Sequence, residues 1–221
     1  MAVPNGGGPR SPPQGGVVSN VVSILVVRHG QTLWSMSGQH TGTTDIPLTA
    51  EGEVQARGLA SVFARRELAL VLTSPRQRAR RTAELAGLTS DRVSVVLDDN
   101  LVEWDYGGYE GRTTSDVSTE LGYQWSVWHD GVVPGATPGE TVFQVSARAR
   151  AVLDRANAAD TGEGDVVLVA HGHFLRILLA TWLGLSPTAG ALFTLEAGTW
   201  GQLGREHGRP VLVRWSVPPQ G

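Results

Sequence analysis

The sequence contains no cysteine. A disulfide framework, a thiolate metal site and a cysteine nucleophile are therefore excluded. Lysine is missing too: all 18 basic residues are arginine. Any cationic site must then be built from planar, permanently charged guanidinium groups, which suit bidentate contact with phosphate. No apolar run approaches the length needed to span a bilayer. The opening residues, MAVPNGGGPRSPPQGG, lack the apolar stretch of a secretory signal. Residues 1–20 read as a flexible tail ahead of one domain over residues 21–221, with the cytoplasm as the default location. The net charge of -3 supplies no electrostatic reason to expect nucleic acid or an anionic membrane as partner. No internal repeat is visible. At 221 residues, with 41% hydrophobic and 18% charged side chains, the chain is long enough to bury one sizeable core.

Short apolar runs alternate with helical patterns. Val21–Val27 (VVSILVV), Leu68–Leu72 (LALVL), Val93–Leu97 and Asp165–Ala170 (DVVLVA) read as strands, the first and last apolar enough to be covered on both faces. Helical patterns run from Thr49 to about Glu67, over Arg76–Leu85 with Pro75 in the first turn, over Thr141–Ala156, and over roughly Phe174–Leu183. Leu203 and Pro210–Val217 add one or two strands. Alternation of this kind predicts a three-layer α/β/α sandwich with a mostly parallel sheet. Its site should lie beyond the carboxyl ends of the strands.

Two of those strands end alike. VVSILVV runs into Arg28-His29-Gly30, and DVVLVA runs into His171-Gly172-His173. If the strands are parallel neighbours, His29 and His171 emerge on one edge of the sheet. Each following glycine allows backbone to approach an anion with no Cβ in the way. In the arginine-rich segment, Arg76 and Arg80 share a helix face while Arg78 points away from it, which singles out Arg78. Three carboxylates, Glu103, Asp105 and Glu110, compete for an acid role in LVEWDYGGYEG.

The blocks VVRHGQTLW, GQHTGTTDIPLTAEGEVQA, TSPRQRARRTAEL, LVEWDYGGYEG, PGET and VVLVAHGHFLRIL together resemble the histidine phosphatase superfamily, which includes cofactor-dependent phosphoglycerate mutase. They stand in the family's order over about residues 21–185, and the SGQHTG stretch resembles the acid-phosphatase and sugar-bisphosphatase members. The resemblance implies a phosphoglycerate mutase-like fold and a metal-independent phosphatase that needs no cofactor. It implies His29 as nucleophile, Glu103 as proton donor, and Arg28, Arg78 and His171 as phosphate-stabilising groups. It further implies substrate contacts from Gln31, Ser35, Gln39, His40, Thr41, Gly42, Tyr106, Gly172 and His173. Ser35 departs from the family, many of whose members carry Asn there. Asp105 and Glu110 read instead as a loop residue and a helix-start residue, and Arg176 as structural. Trp125, Trp128 and His129 could share one helical face.

Hydrolysis is favoured over mutase chemistry because the segment between Gly111 and Pro138 carries only Arg112 as a base, whereas the family's mutases insert more basic residues there. A metal site using His29, His40, His171 and His173 lacks the clustered aspartates of two-metal phosphoesterases. A non-catalytic binding module on the same fold is the remaining alternative. The expected partner is a small phosphorylated metabolite, with homo-oligomerisation left open.

Overall fold

A computed structural model describes residues 23–89, 93, 95–159 and 164–219. The expected tail, residues 1–20, and the first two residues of the expected first strand lie outside the described residues. The centre is a six-stranded sheet. In chain order its strands are β1 (Ile24–Arg28), β2 (Leu68–Thr73), β3 (Val95–Leu97), β4 (Asp165–Ala170), β5 (Trp200–Glu206) and β6 (Arg209–Val217). Their spatial order is β3-β2-β4-β1-β5-β6. β1 to β4 run parallel, and the β5–β6 hairpin adds an antiparallel edge. The expected sandwich is the one found.

Alternation along the central strands explains the layers. Val166, Leu168 and Ala170 join one apolar cluster while Val167 and Val169 join another on the opposite face. The first cluster is covered by α6 (Val142–Ala158) and α7 (Gly172–Trp182). The second is covered by α3 (Ala60–Phe63) and α4 (Gln77–Leu85), with α2 (Ala50–Gly58) packed against α4. Two short helices, α1 (Leu33–Ser37) and α5 (Thr114–Leu121), frame the edge beyond β1. Side chains buried on both faces demand the near-continuous apolar runs that mark β1 and β4 in the sequence.

Three local expectations need correction. The single helix from Thr49 breaks at Gly58-Leu59 into α2 and α3. Pro75 stands one residue ahead of the cap of α4, which is Arg76, rather than in its first turn. Trp128 and His129 sit on a turn, with Trp125 in the irregular segment just ahead of it, and none of the three is helical. Trp125 fills the core, whereas His129 is exposed. The turn forms because Ser126 and Asp130 close it: the Ser126 N–H donates to the Asp130 carboxylate at 2.7 Å, and the Asp130 N–H donates back to the Ser126 carbonyl at 2.8 Å.

Candidate active site

β1 and β4 are parallel neighbours, with Arg28 in register with Ala170. The chain leaves both at the same edge, and the His29 N–H continues the ladder by donating to the Ala170 carbonyl at 3.0 Å. That places the His29 and His171 rings 5.1 Å apart, edge to face. The Gly30 turn is held just as closely. Its N–H donates to Thr82 Oγ1 at 3.1 Å, and a Cβ on Gly30 would stand 2.2 Å from the carbonyl oxygen of Gly52 in α2.

His29 is buried, and its Nδ1 lies 2.7 Å from the Gly30 carbonyl oxygen. A carbonyl can only accept, so Nδ1 carries the hydrogen and Nε2 carries the lone pair. Burial, then the charges of Arg78 and Arg28, hold this imidazole well below the usual histidine range. The ring is therefore neutral, in one tautomer, and nucleophilic at Nε2.

Glu103 is buried at the start of α7. Its carboxylate accepts from the backbone N–H groups of Trp104 (2.9 Å), His173 (3.0 Å) and Phe174 (2.8 Å). Burial pushes its pKa up, and these donors together with Arg28 only partly oppose that. Arg148 braces the loop behind it. The guanidinium donates to the carbonyls of Asn100, Val102 and Glu103 while forming a two-pronged pair with Glu140.

Arg28 donates through Nη1 to the Leu195 carbonyl, and its buried Nε has no hydrogen-bond partner among the described residues. Gly172 is what lets the guanidinium lie so close to α7, since a Cβ there would stand 3.2 Å from Cζ and Nε. Arg28, His29, Glu103 and Gly172 all line one cavity of about 240 Å³, together with Ser35, Gln39, His40, Thr41, Tyr106 and His173. His40 stacks on Tyr106 at 4.6 Å and is pushed down to about 4 by burial. The Tyr106 hydroxyl is hydrogen-bonded to His173 Nδ1 at 2.5 Å.

Other expected residues stand differently. Arg78 is fully buried and does not line the cavity. It donates to the carbonyls of Thr41 and Thr44 and, through Nε, to His171 Nδ1 at 3.2 Å. An arginine cannot accept, so His171 carries its hydrogen on Nε2 and donates to Ser74 Oγ at 2.8 Å. Both ring nitrogens are thereby engaged within the protein, and burial keeps this ring neutral. Gln31 turns toward the cap of α2, accepting from Thr49 Oγ1 at 2.9 Å. Ser35 lines the cavity, but its hydroxyl closes the capping box of α1 with Thr32. Gly42 lies behind the lining, against Trp104 and Glu110.

Glu110 starts no helix. Its carboxylate accepts from the N–H groups of Gly42 and Thr44. Asp105 is a loop residue as expected, accepting from Gly107 N and Thr137 Oγ1. Arg176, expected to be structural, also faces the cavity while donating to the carbonyls of Gly190 and Ala191. Thr32 and Trp34, inside the VVRHGQTLW block but given no role there, also line the cavity, as do Thr114 and Leu195, which no pattern signalled. They sit in loops and short helices whose direction is set by packing. Ser74 was within reach, since it follows a strand ending beside β4. Among the described residues, no group of three or more His, Asp or Glu side chains is placed to hold a metal ion. No helix among them is long and apolar enough to cross a membrane.

Comparison with known proteins places the chain in a family. Residues 24–218 match the model of the histidine phosphatase superfamily (branch 1), and the chain belongs to that family. It is 39% identical over 187 residues to an acid phosphatase of Mycobacterium tuberculosis, covering 84% of this chain and 87% of that one. It is also 39% identical over 186 residues to the sedoheptulose 1,7-bisphosphatase of Saccharomyces cerevisiae, covering 73% and 67%. A solved structure of an open-reading-frame product from M. tuberculosis superposes with a TM-score of 0.80 at 35% identity, over 90% of this chain and 99% of that one.

Proposed function

We propose that the chain hydrolyses small phosphomonoesters through a phosphohistidine formed on His29. The Nε2 lone pair attacks phosphorus, the bond to the ester oxygen breaks, and Glu103 passes its proton to the departing alkoxide. Water then attacks the phosphohistidine and gives its proton to the Glu103 carboxylate. The N–P bond breaks and its electron pair returns to Nε2. The phosphorylated ring is cationic while Nδ1 keeps its hydrogen, and the Gly30 carbonyl stabilises that charge. Arg28 meets the charge on the equatorial phosphate oxygens. Arg78 and His171 support the pocket from behind its lining.

The carrying observation is the fixed tautomer of His29, whose Nδ1 is occupied by Gly30 at 2.7 Å. A nucleophile held that way shares one cavity with Arg28 and with a carboxyl whose burial favours its protonated form. The cavity, about 240 Å³, suits a compact phosphoester such as the sugar phosphates and small esters that the named relatives suggest.

The test is a screen of phosphorylated metabolites for released phosphate, 3-phosphoglycerate included so that isomerisation would be seen. Labelled substrate should leave an acid-labile adduct on the wild type and none on His29→Ala. A wild type with turnover but no adduct, or a His29→Ala variant that still turns over, defeats the proposal.

A further inference from the structure

The segment from Thr41 to Asp45 is held from two sides by opposite charges. On one side Arg78 donates to its carbonyls: Nη2 to Thr41 at 3.0 Å and to Gly42 at 3.5 Å, and Nη1 to Thr44 at 2.9 Å. On the other side the Glu110 carboxylate accepts from its amides, Gly42 N at 3.0 Å and Thr44 N at 2.9 Å. Successive peptide groups thus present oxygens to a cation and hydrogens to an anion. Charge-assisted bonds of this kind are stronger than neutral ones. The fit leaves little room: a Cβ at Gly42 would stand 2.3 Å from the Trp104 carbonyl oxygen and 2.9 Å from Glu110 Oε2.

Among the described residues Arg78 has no other firm anchor on that side, since Asp45 lies 3.8 Å away and is substantially exposed. Its remaining Nε donates to His171, and His171 donates on to Ser74. A continuous hydrogen-bonded path therefore runs from Glu110 through the segment to Arg78 and the imidazole packed against His29.

We infer that Glu110 is a positioning residue: by fixing residues 41–45 it aims Arg78, and through Arg78 it sets the tautomer of His171 beside the nucleophile. Glu110 does not line the cavity, so it contributes by holding other groups in place. The inference rests on the proposed phosphatase reading for its effect on turnover, but not for its effect on His171.

Glu110→Ala and Glu110→Gln should be compared with the wild type in three measurements. Nitrogen-15 imidazole spectra should show His171 as the Nε2–H tautomer in the wild type and as a mixture in the alanine variant. Inhibition by vanadate, a phosphate mimic, should weaken roughly tenfold or more in Glu110→Ala, with kcat falling further than KM rises. Glu110→Gln keeps one acceptor oxygen and should recover most of both. Should the alanine variant fail to fold, Glu110→Asp, one methylene short of the amides, carries the same expectation. An unchanged His171 signal, with unchanged vanadate inhibition in a folded variant, overturns the inference. A wild type insensitive to vanadate and without turnover counts against the phosphatase reading instead, and the tautomer signal alone then decides the role of Glu110.

Discussion

Replacing Glu103 by glutamine isolates the proton from the fold. The amide keeps the size of the carboxyl and one accepting oxygen, but it cannot protonate a leaving group. Positioned acid–base catalysis contributes about 10²- to 10⁴-fold, so turnover of an alkyl phosphate should fall by roughly that factor, or ~3–5 kcal/mol in barrier. The structural cost is separate. Three backbone N–H groups aim at the carboxylate, and the new NH₂ must face one of them, costing about 1–3 kcal/mol of stability. An aryl phosphate whose leaving group departs without protonation needs no acid, and its loss of phosphorylation rate should be at least tenfold smaller.

The pH dependence carries the same signature. His29 lies well below its ordinary pKa and Glu103 above its own. The active form, neutral imidazole with protonated carboxyl, occupies the window between them, so the wild-type rate on alkyl phosphates falls as pH rises through the raised Glu103 pKa. Burst and steady-state kinetics on both ester types across acidic to neutral pH provide the assay. Equal losses on alkyl and aryl esters, or a wild-type rate still climbing above neutrality, would refute the assignment of Glu103.

Two further outcomes test the architecture. Gly30→Ala brings a Cβ to 2.2 Å from the Gly52 carbonyl oxygen; about 1–3 kcal/mol of stability or more should be lost in urea denaturation, and a cost under 1 kcal/mol would mean the turn and α2 are not in contact. His40 is held down to about 4 from an ordinary 6.5. A depressed folded-state pKa in a base means stability present above the unfolded value and lost as pH falls through the folded one, here about 3 kcal/mol between pH 6.5 and 4. His40→Gln should flatten the dependence of stability on pH across that interval, and an unaltered slope would show that His40 is not buried in its neutral form.

The sheet was legible in the residues because strands covered on both faces must be apolar at every position, a local property. β1 and β4 show it plainly, and their shared His-Gly endings put His29 and His171 on one edge as soon as the strands are parallel neighbours. The family resemblance then allowed His29, Arg28 and Glu103 to be proposed before any geometry, and it chose Glu103 over Asp105 and Glu110. What each side chain touches was not legible. Whether Arg78 faces the cavity or the carbonyls of Thr41 and Thr44, whether Ser35 is spent on a helix cap, and whether Glu110 begins a helix or grips two amides depend on partners far apart in sequence. Hydrogen-bond direction and burial arise only when those segments meet. The residues proposed to react were named from the chain alone, whereas the tautomer of His29, the raised pKa of Glu103 and the brace behind Arg78 were decided by tertiary packing.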